Sequence, residues 1–301
     1  MKQTKGVLLL LTTALIWGSA FVAQTSAADH IGSFTFNTAR SIIAAIFLLA
    51  MIGIQKLSPK KEGTAKSNVS PRRLMFGGSM CGIALFAAAN LQQLGIAAYP
   101  EGTPAAGRAG FITATYVVMV ALFSWVFGKR PHALVFAASA GCIAGMALLC
   151  LSDGFSGIYL GDILLLSCAV CFTAHIFTID HFADVDGIRL SCVQFLVCAV
   201  LSAAAALIFE DFSFTDLKGA WLPIMYAGIL SSGVGYTFQI IGQKFTDPAV
   251  ASIIMSLESV FAALAGWLLL HEHLSPRELT GCVLVFVSVV LAQIPGFIKK
   301  T

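Results

Sequence analysis

The chain contains few charged residues for its length. Of its 301 residues only 11% are Asp, Glu, Lys or Arg, and 58% are hydrophobic, against about 25% and roughly 45 to 50% in soluble domains. This composition excludes an ordinary soluble globular protein. It also leaves no room for a soluble domain, because the longest polar segment is QKLSPKKEGTAKSNVSPRR at 55–73.

The sequence also lacks the motifs of common enzymes. It has no G-x-S-x-G, Walker A or Rossmann G-x-G-x-x-G motif, and HEH at 271–273 does not have the H-E-x-x-H spacing of a zinc site. The acidic residues between Asp180 and Asp186 are typical of a solvated turn. We therefore predict no enzymatic activity, no metal, no cofactor and no nucleic-acid partner, and without a Walker motif this chain alone does not drive transport with ATP.

Ten apolar runs fill most of the sequence. A helix needs about 20 mainly apolar residues to cross the roughly 30 Å hydrocarbon core of a bilayer. The runs are continuous and do not alternate as barrel strands do, so the sequence predicts an all-α integral membrane protein. Lys2 and Lys5 before the first run resemble a signal peptide, but the run is longer than such a peptide's core. The ten predicted spans are 6–23, 34–54, 74–96, 105–127, 134–151, 161–179, 190–209, 221–241, 249–270 and 279–298.

Basic residues predict the orientation, because Lys and Arg accumulate in cytoplasmic loops. With the N-terminus inside, 14 of the 18 Lys and Arg residues fall on the inner side, while Lys218 and Arg277 fall outside and Arg40 and Arg108 lie within spans. We predict that both termini are cytoplasmic and that the protein is a multi-pass protein of the cell membrane. The inner residues are Lys2, Lys5, Lys56, Lys60, Lys61, Lys66, Arg72, Arg73, Lys129, Arg130, Arg189, Lys244, Lys299 and Lys300.

The two halves of the chain are related. GVLLLLTTALIWGSA at 6–20 aligns with GDILLLSCAVCFTAH at 161–175 at a shift of 155, and YVVMVALFSWVF at 116–127 aligns with ESVFAALAGWLL at 258–269. We predict two repeats, 1–152 and 153–301, of five helices each. Because five is odd, the second repeat enters the membrane from the opposite side, an arrangement typical of secondary transporters, whose substrate site lies at the repeat interface near the midplane.

Four stretches resemble a known family: ALIWGSAFV at 14–22, GFITATYVVMVALFSWVFGKRP at 110–131, AGCIAGMALLCL at 140–151 and ASIIMSLESVFAALAGWLLLHEHL at 251–274. With these stretches the chain resembles the ten-helix EamA-type permeases of the drug/metabolite transporter superfamily over nearly its whole length. The resemblance implies two inverted five-helix repeats around a central cavity lined mainly by helices 1, 3, 4, 6, 8 and 9. It also implies carriage of small metabolites, often outward and in some members amino acids. Ser259 stands where the family often has Pro, so this sequence does not predict a proline kink there.

Glu258 is an acid near the middle of the ninth span. It lies nine residues from Ala249 and twelve from Leu270, about 14 Å from the inner boundary at 1.5 Å per residue. A charge at that depth costs about 2.5 kcal/mol or more, and such residues usually face a cavity or a partner. We interpret Glu258 either as a cavity residue that binds a substrate amine or a proton, or as a structural residue bonded to a neighbouring helix.

Three further titratable residues lie within predicted spans. Arg40 and Arg108 lie about 9 Å and about 5 Å below the outer boundary, so each can either bind substrate or extend its side chain to the headgroups; the sequence favours the substrate for Arg108 and the headgroups for Arg40. His175 can serve in a proton relay, although a lone histidine is more often a packing residue.

Other polar and aromatic side chains in the spans are candidates to bind a substrate, although each could equally bond one helix to another. The glycine pairs 78/82 and 141/145 predict close helix contacts. GILSSGVGY at 228–236 is compatible with a hinge or a close crossing in the eighth helix, although ordinary helix packing is narrowly favoured. The remaining candidates are Trp17, Ser19, Asn90, Gln92, Gln93, Tyr116, Tyr236 and Gln239, with Asn37 at a similar depth to Asn90.

The sequence therefore favours a secondary transporter that works by alternating access. Glu258 and Arg108 are predicted to recognise the charged groups of a small zwitterionic or amphiphilic metabolite. Proton coupling is compatible with these residues but is not required. The alternatives are an integral membrane enzyme, for which no nucleophile or metal set is found, and a non-transporting membrane sensor. The expected partners are the small-molecule substrate and the lipid bilayer.

Overall fold

A computed structural model of the chain describes residues 2–57, 70–100, 105–129, 131–150, 158–211, 214–269 and 275–298, and the regular elements in these ranges are helices. Each of the ten predicted spans is helical over its described residues, apart from short breaks in two of them. A short additional helix, Phe214–Gly219, precedes the eighth span. The spanning helices are α1 (Lys2–Ala28), α2 (Ser33–Leu57), α3 (Pro71–Ala97), α4 (Ala105–Ala114 and Tyr116–Val126), α5 (Ala133–Cys150), α6 (Leu160–His181), α7 (Gly187–Phe209), α8 (Trp221–Tyr226, the π-helix Ala227–Tyr236 and Thr237–Gln243), α9 (Pro248–Met255 and Glu258–Leu269) and α10 (Pro276–Ile298).

The helices have the length and surface of a membrane protein. Within the described residues seven are long and apolar enough to cross a bilayer, and the apolar stretches Ala133–Leu148 and Pro248–Ala262 are shorter. Large hydrophobic side chains cover the outside of the bundle, among them Ile46 at 62% and Phe286 at 59% exposure. Such a surface is unfavourable in water but suits lipid.

Three of the spans, α4, α8 and α9, are not regular α-helices. The middle of α8 is the π-helix Ala227–Tyr236. Thr115 interrupts α4, and Ser256 and Leu257 interrupt α9. At both interruptions a backbone N–H donates to the carbonyl three residues earlier, Thr115 to Ile112 at 3.1 Å and Leu257 to Ile254 at 3.3 Å. The break in α9 lies directly before Glu258. Because Ser259 is not a proline, the sequence did not predict a break at this position.

The packing of the helices follows the repeat. The counterpart of each helix in the first repeat is the helix five places later in the chain. Three contacts join a helix to its own counterpart: α5 with α10, α2 with α7 and α4 with α9. Three further contacts each occur twice, once in each equivalent form: α3–α6 and α8–α1, α3–α7 and α8–α2, and α1–α9 and α6–α4. The bundle is therefore built from two equivalent five-helix units around a pseudo-twofold axis.

Glycines bring repeat-related helices into close contact. A Cβ on Gly6 of α1 would lie 2.9 Å from the Gly242 carbonyl of α8, and a Cβ on Gly161 of α6 would lie 2.7 Å from the Gly95 carbonyl of α3. Since Gly6 and Gly161 are aligned residues of the two repeats, the same contact occurs twice. Small residues at such crossings let helix backbones approach closely.

The glycine pairs predicted to mark close crossings do so. A Cβ on Gly78 or Gly82 of α3 would lie within 2.7 Å of α7, against Val193 or the Gln194 carbonyl. Gly145 of α5 comes equally close to α10, where its Cβ would lie 2.8 Å from the Gly281 carbonyl. The prediction of close contact at these positions is confirmed.

The connection between α6 and α7 joins the two repeats at the predicted cytoplasmic end. The Arg73 guanidinium of α3 donates to both Asp184 oxygens, at 2.7 and 2.8 Å, and packs over the Phe182 ring at 4.9 Å. This ion pair lowers the pKa of Asp184 below its usual range. Lys129 pairs with Asp180, so basic residues of the first repeat offset the acidic connection of the second.

Lys244, which follows α8, reaches the same connection. Its ammonium group donates to the Val185 carbonyl, and burial lowers the pKa of this lysine. Both α3 and α8 therefore hold the α6–α7 connection at this end of the bundle.

Candidate functional site

A central cavity lies between the two repeats, near the middle of the bundle. The volume open to the centres of water molecules in this cavity is about 30 Å³, which is enough for about two waters. Side chains of α1, α2, α3, α4, α6, α8 and α9 form its wall. The lining residues are Trp17, Ala20, Phe21, Gln24, Arg40, Gln92, Thr113, Tyr116, Phe172, Ile176, Ser231, Tyr236, Gln239, Met255 and Glu258.

Most of this wall consists of repeat-related pairs. The shift of 155 that aligns α1 with α6 relates Trp17 to Phe172 and Phe21 to Ile176. The alignment of α4 with α9 relates Thr113 to Met255 and Tyr116 to Glu258, and the shift of 147 between Gly95 and Gly242 relates Gln92 to Gln239. Ten of the fifteen lining residues belong to these five pairs, so the cavity lies on the pseudo-twofold axis.

Glu258 and Tyr116 face each other at the two helix breaks. Each is the first residue of the second half of its helix, and the Tyr116 hydroxyl lies close enough to the Glu258 carboxyl to interact with it electrostatically. The hydroxyl is buried and has no hydrogen-bond partner within 3.5 Å in the described part of the chain, so at most a long hydrogen bond links it to the Glu258 carboxyl. Glu258 is 4% exposed and forms no ion pair with a described side chain, so its carboxyl is free to bind a ligand group in the cavity.

An aromatic wall covers another side of the cavity. The rings of Trp17 and Tyr236 lie 4.6 Å apart between centroids, and Trp17 Nε1 donates to the Ser231 carbonyl of the π-helix at 3.2 Å. A Cβ on Gly235 would lie 2.7 Å from Trp17 Nε1, so glycine allows the indole to sit against α8. The glycine-rich segment 228–236 is therefore a close crossing, as one interpretation of the sequence predicted, and it is also a π-helix.

Amide side chains add unpaired acceptors to the cavity. Gln24 and Gln239 both line it, and the Oε1 atom of each is buried without a hydrogen-bond partner in the described chain. A buried acceptor without a donor costs free energy, and a ligand N–H or O–H group would satisfy it.

Arg40 also lines the cavity. Its side chain is 4% exposed, and its guanidinium carbon lies 5.8 Å from the centre of the Phe36 ring. This burial among protein helices does not fit the interpretation, favoured by the sequence, that the side chain extends to the headgroups.

Four of the predicted site residues lie in the described structure but do not line the cavity. His175 Nε2 is 3.1 Å from Gln194 Oε1, and Ser19 Oγ is 2.5 Å from the Tyr226 hydroxyl. Asn90 accepts from the Asn37 amide at 3.1 Å and donates to the Ser202 hydroxyl at 3.0 Å, and Gln93 donates to the Gln24 carbonyl at 3.0 Å. These side chains connect helices to one another.

Of the other predicted residues, the Arg108 side chain lies outside the described residues. The rest are brought together in the cavity: Trp17, Arg40, Gln92, Tyr116, Tyr236, Gln239 and Glu258. Sequence reasoning missed the other lining residues, which are Ala20, Phe21, Gln24, Thr113, Phe172, Ile176, Ser231 and Met255. The repeat alignment carried a signal for Phe172, which is the counterpart of Trp17. Helical spacing carried one for Met255, which lies three residues before Glu258. Gln24 carries no such signal.

Comparisons with known proteins give one family match and several similar proteins. The sequence profile of the EamA-like transporter family matches residues 4–151 and 159–293. An uncharacterized transporter of Archaeoglobus fulgidus is 31% identical over 300 residues, which cover 98% of this chain and 87% of the relative. The uncharacterized transporter YoaV of Bacillus subtilis is 24% identical and covers 94% of both chains. A crystal structure at 19% identity covers 99% of both chains with a TM-score of 0.79, which supports the fold.

Proposed function

The chain belongs to the EamA-like transporter family, as its motifs predicted, and from this premise we propose that it exports small metabolites such as amino acids by alternating access. The family is one of transporters and not of enzymes. The central cavity is the binding site in this proposal. The observation that carries it is the position of a buried acid, Glu258, in a cavity whose wall is shared by both repeats.

Glu258 binds the cationic group of the solute in this proposal. Its carboxyl is buried and has no cationic partner within 4 Å among the described side chains, so an ammonium group in the cavity would gain a charge-assisted hydrogen bond. Uptake of a proton is the other way to neutralise the acid, and it would couple transport to the proton gradient. Gln24 and Gln239 supply further acceptors for N–H groups.

The fold supports movement of the repeats around this site. The cavity has room for about two waters, so a metabolite requires the lining side chains or helices to move. The breaks in α4 and α9 and the π-helix of α8 interrupt the regular hydrogen-bond ladder at the cavity, and such interruptions are common where helices bend. Rocking of one repeat against the other would expose the cavity to each side in turn.

We propose that both termini face the cytoplasm and that the protein lies in the cell membrane. The distribution of Lys and Arg supports this orientation. The acidic α6–α7 connection lies on the same side in this proposal, and its Asp180 and Asp184 are paired with Lys129 and Arg73.

Flux through purified protein in liposomes tests the proposal. Proteoliposomes loaded with a mixture of labelled amino acids should release some of them faster than protein-free liposomes, and Glu258→Gln should slow that release by at least about tenfold, the loss of one charge-assisted bond. Glu278→Gln is the matched control, because Glu278 caps the outer end of α10 through the Ser275 N–H at 2.7 Å and lies outside the cavity lining. Unchanged release by Glu258→Gln would remove Glu258 from the mechanism.

A further inference from the structure

Arg40 is a buried cation without an anionic partner. It lies in α2, seven residues after Ser33, or about 10 Å along the helix, and is 4% exposed. Among the described residues its guanidinium forms no ion pair and no hydrogen bond. It lies 5.8 Å from the centre of the Phe36 ring and interacts electrostatically with Tyr236 and Cys198. A buried charge without a partner is strongly destabilising, so its retention beside a cavity indicates a ligand that supplies the missing anion.

Arg40 and Glu258 carry opposite charges on one cavity wall but do not pair. No contact between them is as short as 4 Å, although both interact electrostatically with Tyr236. Two opposite charges that line one cavity without touching leave space for a ligand with a charge at each end.

The chemistry of the two ends differs. A guanidinium presents parallel N–H donors that match the two oxygens of a carboxylate. Glu258 and the unpaired Oε1 atoms of Gln24 and Gln239 are acceptors, which match an ammonium group with its three N–H donors. Trp17 and Tyr236 offer rings for the body of the solute.

We propose that Arg40 is the anion subsite of the transport site and makes the protein selective for zwitterions, with the carboxylate of the solute on Arg40 and its ammonium group on Glu258. This inference rests on the proposed function and adds to it the residue that rejects amines without a carboxylate. Arg40 takes the role in anion recognition that the sequence favoured for Arg108.

Thermal-shift titration with matched probes tests the subsite. The purified protein is first titrated with each of the twenty amino acids, because a ligand of the folded state raises the melting temperature. The amino acid with the largest shift is then compared with the amine that lacks only its carboxylate; for L-leucine this is 3-methylbutylamine. The wild type should bind the amino acid about 10- to 100-fold more tightly than the amine, as expected for a hydrogen-bonded charge pair.

Two variants assign this selectivity to Arg40. Arg40→Gln should weaken binding of the amino acid to about that of the amine and leave the amine's affinity unchanged. Arg40→Lys keeps the charge and replaces the planar donor group, and it should retain an intermediate preference. The ratio of the two affinities is measured within one protein, so a loss of stability in the variant does not change it. If Arg40→Gln does not fold, Arg40→Lys and the wild-type ratio decide.

Failure of this inference differs from failure of the proposed function. If no amino acid raises the melting temperature and none is released from proteoliposomes, the proposed function is wrong. If an amino acid is bound but the wild type binds the amine equally well, or if Arg40→Gln keeps the wild-type ratio, then Arg40 is not the anion subsite.

Discussion

The two repeats contribute equivalent positions to the cavity wall, but the charged side chains that they contribute have opposite signs. Five repeat-related pairs line the cavity, whereas the guanidinium of Arg40 comes from the first repeat and the carboxyl of Glu258 from the second. The counterpart of Glu258 in the first repeat is Tyr116, which lies close to it in the cavity wall. Duplication thus gives a cavity with an approximately symmetric wall. Divergence of a few side chains places a positive charge from one repeat and a negative charge from the other in that wall.

Replacing Glu258 with its counterpart, tyrosine, should have the largest effect. Glu258→Tyr alone removes the acid and adds volume to a small cavity, so we expect release from proteoliposomes to fall by about 100-fold, the loss of a buried charged bond together with overpacking. The double variant Tyr116→Glu/Glu258→Tyr restores both the acid and the total volume and should recover part of the flux. A double variant that folds, by its melting temperature, yet transports no better than Glu258→Tyr would show that the two positions are not equivalent.

A smaller effect is expected where α8 differs from α3. The counterpart of Gly235 in the first repeat is Ala88, which is fully buried. Gly235→Ala would place a Cβ 2.7 Å from Trp17 Nε1, and we expect it to lower the free energy of unfolding by about 1 to 3 kcal/mol and to slow flux by moving the indole. The reverse change in α3, Ala88→Gly, should cost about 0.5 to 1 kcal/mol with little change in flux. Wild-type melting and flux for Gly235→Ala would contradict the close crossing.

Trp17→Phe makes the aromatic wall of the first repeat like that of the second, where Phe172 stands. It removes the hydrogen bond from Nε1 to the Ser231 carbonyl, and we expect a loss of about 1 kcal/mol together with faster exchange of water into the enlarged cavity. Trp221→Phe, at an indole that is 61% exposed, is the control and should change stability by less than about 0.5 kcal/mol. Equal melting temperatures for the two variants would argue against the hydrogen bond.

The smallest effect is expected at the ion pair that joins the repeats outside the membrane. Arg73 lowers the pKa of Asp184 in the folded protein, so the pair contributes stability above the pKa of the unfolded carboxyl, about 3.9, and loses it as the pH falls through the folded pKa. Asp184→Asn should therefore melt slightly below the wild type at pH 7, and the difference should shrink as the pH falls below the unfolded pKa of about 3.9 and vanish below the folded pKa. Both side chains are over 40% exposed, so water screens the pair, and a large difference at pH 7 would contradict this assignment.

The sequence predicted the ten spans because long apolar runs are local signals, and it predicted the duplication because segments of the two halves can be aligned directly. It did not predict the breaks before Tyr116 and Glu258, since neither contains Gly or Pro. Gln92 and Gln93 are adjacent, yet only Gln92 lines the cavity. Which of them does so depends on how α3 is rotated against α4 and α6, and this is a property of the packed bundle. The repeat boundary predicted at 152/153 falls outside the described residues and stays a prediction.

Accessibility of the cavity to water tests the central claim most directly, and α8 offers a matched pair of residues. Ser231 lines the cavity, whereas its neighbour Ser232 is buried and lies outside the lining. In a cysteine-free background, Ser231→Cys should react with a water-soluble thiol reagent and be protected by the transported amino acid, and Ser232→Cys should react at least about tenfold more slowly because it is shielded from water. Equal reaction of both cysteines, or no reaction at position 231, would contradict a water-filled binding site between the repeats.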